Sequence, residues 1–145
     1  MKAITIILLT VFLGKSCSNE AQNDITNTTL QYTATTRGSF LKIIVSNQKA
    51  TISRDRNGEK LPEEITISDK DWKEMIGYFE KIDLKKLPTL KDPTQKRFYD
   101  GAAIAHLKIR YQDKNYETTD FDHGFPPAEI EKLVKKIVSL AKEKE

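Results

Sequence analysis

The sequence contains one cysteine, Cys17, in 145 residues. A single cysteine can form no internal disulfide, and the chain after it can provide neither a cysteine-based zinc site nor a catalytic thiol. A domain in that part of the chain must therefore be held together by its hydrophobic core alone. The length of the chain is sufficient for one domain of ordinary size.

Histidine is also scarce, because His106 and His123 are the two in the chain. A zinc site needs three or four His, Cys or carboxylate ligands, and these two histidines do not have the His-x-x-x-His spacing. The sequence has no glycine-rich phosphate loop, no nucleophile elbow and no paired-carboxylate motif. We therefore expect a domain that has no catalytic residues and binds no metal or other cofactor.

A strong excess of one charge is absent as well. The chain has 24 Lys and Arg against 21 Asp and Glu, but Lys2 and Lys15 belong to the first 16 residues, which contain no acidic side chain. Without them the net charge is about +1. Binding to nucleic acid requires a basic face that displaces counterions, whereas mixed charges such as those of residues 142–145 indicate a solvated surface. A nucleic-acid partner is not expected.

The one long apolar run covers residues 3–13, directly after Met1-Lys2, and carries no charge. Its length suits the hydrophobic region of a signal peptide and is too short for a transmembrane helix, which needs about 20 apolar residues. A core helix would have a polar face, which this run lacks. The pattern predicts a signal peptide over residues 1–16.

The junction Gly14-Lys15-Ser16-Cys17 resembles the cleavage site of bacterial lipoproteins, in the looser form found in the Bacteroidetes. Ser16 is the small residue before the cysteine, whereas Gly14 and Lys15 depart from the usual aliphatic and small residues. The resemblance implies lipidation of Cys17, so that the acyl chains (palmitate) make the only contact with the membrane. Residues 17–28 would then be a flexible tether. The protein is expected to be exported and anchored in the bacterial envelope, on the periplasmic or surface face of the outer membrane.

Residues 29–145 are predicted to form a single α+β domain. Apolar and polar residues alternate over residues 30–35, which predicts a strand; further strands are predicted at residues 40–45 and 50–53, before the turn signal Asn57-Gly58. A helix is predicted over residues 69–82, with a capping box and one apolar face. Its capping residues are Ser68 and Asp71, and its apolar residues are Trp72, Met75, Ile76 and Phe79.

The second half of the domain is predicted to contain a hairpin and a helix. Residues 103–111 and 116–121 alternate as strands around a turn at Asp113-Lys114-Asn115, and Pro126-Pro127 begins the final helix. The order β-β-(β)-α-β-β-α predicts an antiparallel sheet of four or five strands with two helices on one face, an open-faced sandwich.

This second half resembles emfourin-type proteins, which are small inhibitors of thermolysin-like metalloproteases. The matching residues are Tyr99-Asp100-Gly101, the predicted strands over residues 103–111 and 116–121, and Pro126-Pro127 at the start of the last helix. They cover less than half of the chain, and the glycine-rich early hairpin of that family is matched only by Arg37-Gly38-Ser39-Phe40. The resemblance makes protease inhibition worth an assay, and no inhibitory residue is assigned from it.

The densest group of chemically active residues is Phe121-Asp122-His123-Gly124 with the two prolines that follow. Asp122 and His123 could orient a general base or bind a metal. Alternatively, Asp122 is a turn or capping residue and Gly124 takes an unusual backbone angle. Arg37, at the turn after the first strand, could contact a partner.

Two functional hypotheses follow. The first is a non-catalytic envelope or cell-surface binding module for a protein or small-molecule ligand, with Asp122, His123 and Arg37 as candidate binding residues. The second is a small hydrolase or metal-dependent enzyme that uses Asp122 and His123. An enzyme requires a Ser, Thr or carboxylate within about 3.2 Å of an imidazole, whereas an apolar patch on the open sheet face would favour binding.

Overall fold

The computed structural model describes Ile25 and residues 27–142. The predicted signal peptide, Cys17 and most of the predicted tether lie outside the described residues. Ile25 and Thr28, near the end of that tether, are buried, and Ile25 belongs to the hydrophobic core. Among the described residues, no helix has the length and hydrophobicity needed to cross a bilayer.

The described chain forms one antiparallel sheet, two α-helices and three short 3-10 helices. The strands are β1 (Thr29–Thr35), β2 (Phe40–Ser46), β3 (Lys49–Ser53), β4 (Glu63–Thr66), β5 (Ile104–Tyr111), β6 (Lys114–Glu117) and β7 (Phe121–Asp122). The α-helices are α1 (Asp69–Glu80) and α2 (Glu131–Ser139), and the 3-10 helices cover Leu84–Thr89, Lys96–Tyr99 and Ala128–Ile130.

The strands lie in the order β4-β3-β2-β1-β5-β6, and β7 pairs with the beginning of β5. The predicted α+β class with an antiparallel sheet is confirmed, with more strands than the four or five expected. The pairing of β1 with β5 joins the two halves of the chain, with Tyr32 opposite Leu107.

One face of the sheet carries the core, because the alternation within each strand directs every second side chain toward the helices. The buried side chains of the two central strands are Leu30, Tyr32, Ala34, Ala105, Leu107 and Ile109. Helix α1 adds Met75, Ile76 and Phe79, and α2 adds Leu133, Val134 and Ile137. Each fully buried Leu, Ile or Met side chain among them stabilises the fold by about 1.5 to 3 kcal/mol.

Helix α1 begins as its sequence predicts. The Ser68 side chain accepts a hydrogen bond from the Asp71 amide at 3.2 Å, which satisfies one of the free N–H groups of the first turn. The helix ends at Glu80, two residues earlier than predicted. Trp72 is only partly buried, at the edge of the core.

The opposite face of the sheet is polar at its centre. Thr33 lies there between Lys42 and His106 on the neighbouring strands. An apolar patch at this position would have favoured binding to the open sheet face, and these three residues do not provide one.

The hairpin between β5 and β6 differs from its predicted register. Tyr111 pairs with Lys114, so the turn consists of Gln112 and Asp113. Both residues have positive φ, 49° and 61°, as expected for a two-residue type I′ turn. The returning strand is interrupted because Thr118 exchanges hydrogen bonds with the backbone of Leu107 through its own amide and hydroxyl groups.

Candidate functional site

The predicted pair Asp122 and His123 lies at the end of β7. Asp122 is opposite Ile104 in the ladder, and the His123 amide donates to the carbonyl of Ala103 at 2.9 Å. Gly124 follows with a φ of 90°, the unusual backbone angle expected at this position. The two side chains have separate hydrogen-bond partners, so adjacency in the sequence does not make them a functional pair.

Asp122 is a fully buried carboxylate that accepts four hydrogen bonds. Its Oδ2 accepts from the Thr94 hydroxyl and the Lys96 amide, both at 2.6 Å. Its Oδ1 accepts from the Arg97 amide at 3.0 Å and from Arg97 Nη1 at 3.1 Å. Burial alone would raise the pKa of Asp122, but these hydrogen bonds outweigh it and lower the pKa to about 2.

Arg97 links this carboxylate to the loop before β5. Its side chain is only 10% exposed, and Nη1 also lies 2.7 Å from Asp92 Oδ2. The loop over residues 92–97 is thus fastened to β7 by a hydrogen-bonded ion pair. A carboxylate with a pKa of about 2 that already accepts four hydrogen bonds is a poor proton acceptor at neutral pH. Its hydrogen bonds instead stabilise the loop over residues 92–97.

His123 has a different partner, the hydroxyl group of Tyr32, at 2.7 Å from Nδ1. Tyr32 is fully buried, and burial raises the pKa of its hydroxyl group. The hydroxyl group is therefore neutral and shares one hydrogen bond with Nδ1, in which the tautomer of the imidazole decides the donor. Burial lowers the pKa of His123, so the imidazole is neutral at pH 7.

The other histidine lies on the opposite side of the sheet. His106 alternates with the buried residues Ala105 and Leu107 and therefore points to the polar face. Its Nδ1 lies 3.3 Å from Asp120 Oδ1 and its Nε2 lies 3.4 Å from Glu117 Oε2. His106 and His123 therefore do not share a site. Within the described part of the chain, no group of three or more His, Cys, Asp or Glu residues is arranged so that it could hold a metal ion.

Arg37 lies in the turn between β1 and β2. The Thr36 hydroxyl accepts from the amides of Gly38 and Ser39 at 3.2 and 2.9 Å. Arg56, beyond the end of β3, donates from Nη2 to the carbonyl groups of Thr36 and Ser39. The turn is therefore held from within and from the neighbouring loop.

A cavity of about 610 Å³ opens beside this turn. Its polar lining includes Arg37, Arg56, Arg97 and Asp100, and its apolar lining includes Ala102 and Ile104. Arg97 thus connects the buried Asp122 to the cavity wall. Of the three site residues predicted from the sequence, Arg37 lines this cavity, whereas Asp122 and His123 do not.

Asp100 reaches the cavity through the predicted turn at residues 99–101. Asp100 has a left-handed φ of 59°, and the Gly101 amide donates to the Lys96 carbonyl at 2.8 Å. A Cβ atom at position 101 would lie 3.0 Å from a ring carbon of Tyr99 and 3.1 Å from that carbonyl oxygen. A side chain here would push these atoms away by a few tenths of an ångström, so glycine suits this close approach.

Sequence reasoning did not find Arg56, Arg97 or Tyr32 as site residues. Arg56 has one local signal, its position immediately before the Asn57-Gly58 turn. Arg97 and Tyr32 have none, because their partners lie 25 and 91 residues away in the chain.

Comparison with protein-family models, curated proteins and solved structures finds no match for this chain. The resemblance of its second half to emfourin-type inhibitors stays a prediction.

Proposed function

We propose that this protein is an exported bacterial lipoprotein, acylated at Cys17, whose domain is a non-catalytic binding module of the cell envelope. The observation that best supports the non-catalytic part is the environment of Asp122. Its two carboxylate oxygens are buried and accept four hydrogen bonds. A general base needs a free lone pair within reach of a substrate proton, and this carboxylate offers none.

The alternative, a hydrolase or metal-dependent enzyme that uses Asp122 and His123, has less support. Asp122 does not hydrogen-bond to His123, and the Nδ1 atom of His123 is hydrogen-bonded to the Tyr32 hydroxyl group instead. Among the described residues, no Ser, Thr or carboxylate hydrogen-bonds to His123. In the described part of the chain, the imidazole is therefore hydrogen-bonded to neither an orienting acid nor a Ser or Thr nucleophile.

The cavity beside Arg37 supports the binding part of the proposal. Its volume of about 610 Å³ lies within the range of about 300 to 1,000 Å³ that is usual for small-ligand sites. Ala102 and Ile104 give its wall apolar surface, and six of its nine lining residues are polar or charged, which favours a small ligand that carries a charge. Arg37 is exposed, and it makes no ion pair or hydrogen bond within the described part of the chain.

Capture from envelope extracts tests this function. The full-length protein, immobilised in detergent, should retain an envelope component that the Arg37→Glu variant does not retain, because the variant places a negative charge at the cavity. Arg110→Glu is the matched control, since Arg110 is an exposed arginine at the far end of β5, and it should retain the same component. Equal retention by all three proteins would contradict a binding role for the cavity. Hydrolysis of an ester or peptide substrate that is lost in His123→Gln would support the enzyme instead.

A further inference from the structure

We propose that the cavity lined by Arg37, Arg56 and Arg97 binds a carboxylate that is attached to an apolar group. This inference rests on the proposed function of the domain as a binding module and assigns the chemical class of its ligand. The three arginines come from three separate segments of the chain and line one cavity.

Two of these arginines have charge and donors available for a ligand. Arg37 has no partner among the described residues. Arg56 donates from Nη2 to two carbonyl groups and to the Thr35 hydroxyl, all of which are neutral, and among the described residues it makes no ion pair. Its Nε and Nη1 atoms make no hydrogen bond in the described part of the chain. The charge of Arg97, in contrast, is balanced by Asp92 and Asp122.

The charges around the cavity favour a monoanion. A guanidinium group presents a planar pair of donors that matches the two oxygens of a carboxylate. Asp100 lines the same cavity, and its negative charge weakens the attraction of the arginines for any anion. Because the desolvation cost rises more steeply with the charge of the ligand than the attraction does, this weakening disfavours a dianion such as phosphate more than a carboxylate. A singly charged planar anion therefore fits the lining better than a phosphate group.

The apolar part of the ligand is inferred from exposed hydrophobic side chains beside the arginines. Ile104, in the cavity wall, is 43% exposed, and Phe98 and Tyr99, next to the lining residues Arg97 and Asp100, are each 72% exposed. The Phe98 ring centroid lies 4.5 Å from the Arg97 guanidinium carbon. Exposed aromatic rings next to arginine are typical of binding surfaces.

The cavity wall is held in place without a ligand. The Arg37 turn is fixed by Thr36 and by Arg56, and Arg97 is fixed by Asp122. A ligand would therefore order mainly the Arg37 side chain, and the entropic cost of binding would be small.

Two sources could supply such a carboxylate: a free organic acid, or an acidic side chain of a partner protein. Titration of ¹⁵N-labelled full-length protein in detergent, followed by NMR, tests the site with four probes. These are 3-phenylpropionate, its neutral amide 3-phenylpropanamide, the peptide acetyl-Phe-Glu-amide, and inorganic phosphate. We expect the two carboxylates to shift the backbone amides of Thr36, Gly38 and Ile104, and the neutral amide to leave them unchanged.

Arg37→Gln should weaken carboxylate binding by about tenfold, since one charge-assisted donor pair is lost. The Arg37 side chain is exposed and makes no hydrogen bond or ion pair with the described residues, so we expect the variant to fold. Arg110→Gln is the matched control and should bind with unchanged affinity. Tighter binding of the peptide would assign the carboxylate to a protein partner, whereas tighter binding of phenylpropionate would assign it to a free acid; either result supports the proposal.

Three results would overturn the proposal: phosphate binding more tightly than phenylpropionate, the neutral amide binding as well as the acid, or equal losses in Arg37→Gln and Arg110→Gln. The absence of localised shifts at up to about 10 mM carboxylate would also overturn it. None of these results would affect export and anchoring, which are tested separately by acyl labelling at Cys17.

Discussion

Replacing Asp122 by alanine is expected to lower the free energy of unfolding by about 3 to 5 kcal/mol, the usual cost of leaving one partner of a buried charge pair without the other. The substitution leaves the Thr94 hydroxyl, two backbone amides and the Arg97 guanidinium without their acceptor. Each unsatisfied buried donor costs about 1 to 3 kcal/mol. Domains of this size have about 5 to 15 kcal/mol in total, so the loss is a large share of the stability.

Urea unfolding followed by the fluorescence of Trp72, the single tryptophan of the chain, measures this loss. Asp120→Ala is the matched control, because Asp120 is an exposed aspartate only two residues away. Asp120→Ala should lower the free energy of unfolding by less than about 0.5 kcal/mol. Similar losses in the two variants would show that the Asp122 hydrogen bonds do not hold the loop.

The same carboxylate predicts how stability depends on pH. The pKa of Asp122 is about 2 in the folded protein, below the value of about 3.9 for an unfolded chain. Between these values the unfolded chain binds the extra proton, so the stabilisation is complete above about pH 4 and is lost as the pH falls toward 2. Asp122→Asn should reduce this acid dependence, whereas Asp120→Asn should retain it.

Replacing Cys17 by alanine is expected to abolish the incorporation of labelled palmitate and to release the protein from the membrane fraction. The reason is that the acyl chains are the only membrane anchor in this account, and each buried methylene group contributes about 0.8 kcal/mol to membrane binding. Radiolabelling in a bacterial host, followed by fractionation of the envelope, measures both effects. The expected change is from full to background labelling.

Ser18→Ala is the control for this experiment, since it changes the next residue and keeps the thiol. It should be labelled and fractionated like the unchanged protein. Membrane association that persists in Cys17→Ala would contradict the lipid anchor. Labelling lost while the protein remains in the membrane would indicate that the apolar residues 3–13 stay attached as an uncleaved anchor.

The elements that sequence predicted well are those whose signals are local. Strand β1 shows strict alternation, and helix α1 carries its own cap at Ser68 and one apolar face. Strand β4 was not predicted because Glu63-Glu64-Ile65-Thr66 contains one apolar residue and lies at the edge of the sheet. The antiparallel pairing with β3, rather than the residue pattern of β4 itself, makes this segment a strand.

The candidate site was less predictable because its contacts are distant in the chain. The sequence identifies Asp122 and His123 only by their residue types. The prediction that Gly124 takes an unusual backbone angle is confirmed. What each side chain contacts depends on how the sheet brings Tyr32 and Arg97 next to β7. No local pattern encodes those neighbours. The sequence predicts Arg37 from its position in a turn, whereas Arg56 and Arg97 are brought to the same cavity only by the fold.

We infer that Asp122 and His123 stabilise the domain and perform no chemistry. An NMR titration of the side-chain carboxyl and imidazole groups of the full-length protein tests it most directly. We expect Asp122 to ionise with a pKa of about 2 and the pKa of His123 to lie below its ordinary value of 6.5. An Asp122 carboxyl that ionises above about pH 5, as a catalytic acid with a raised pKa would, would contradict the claim.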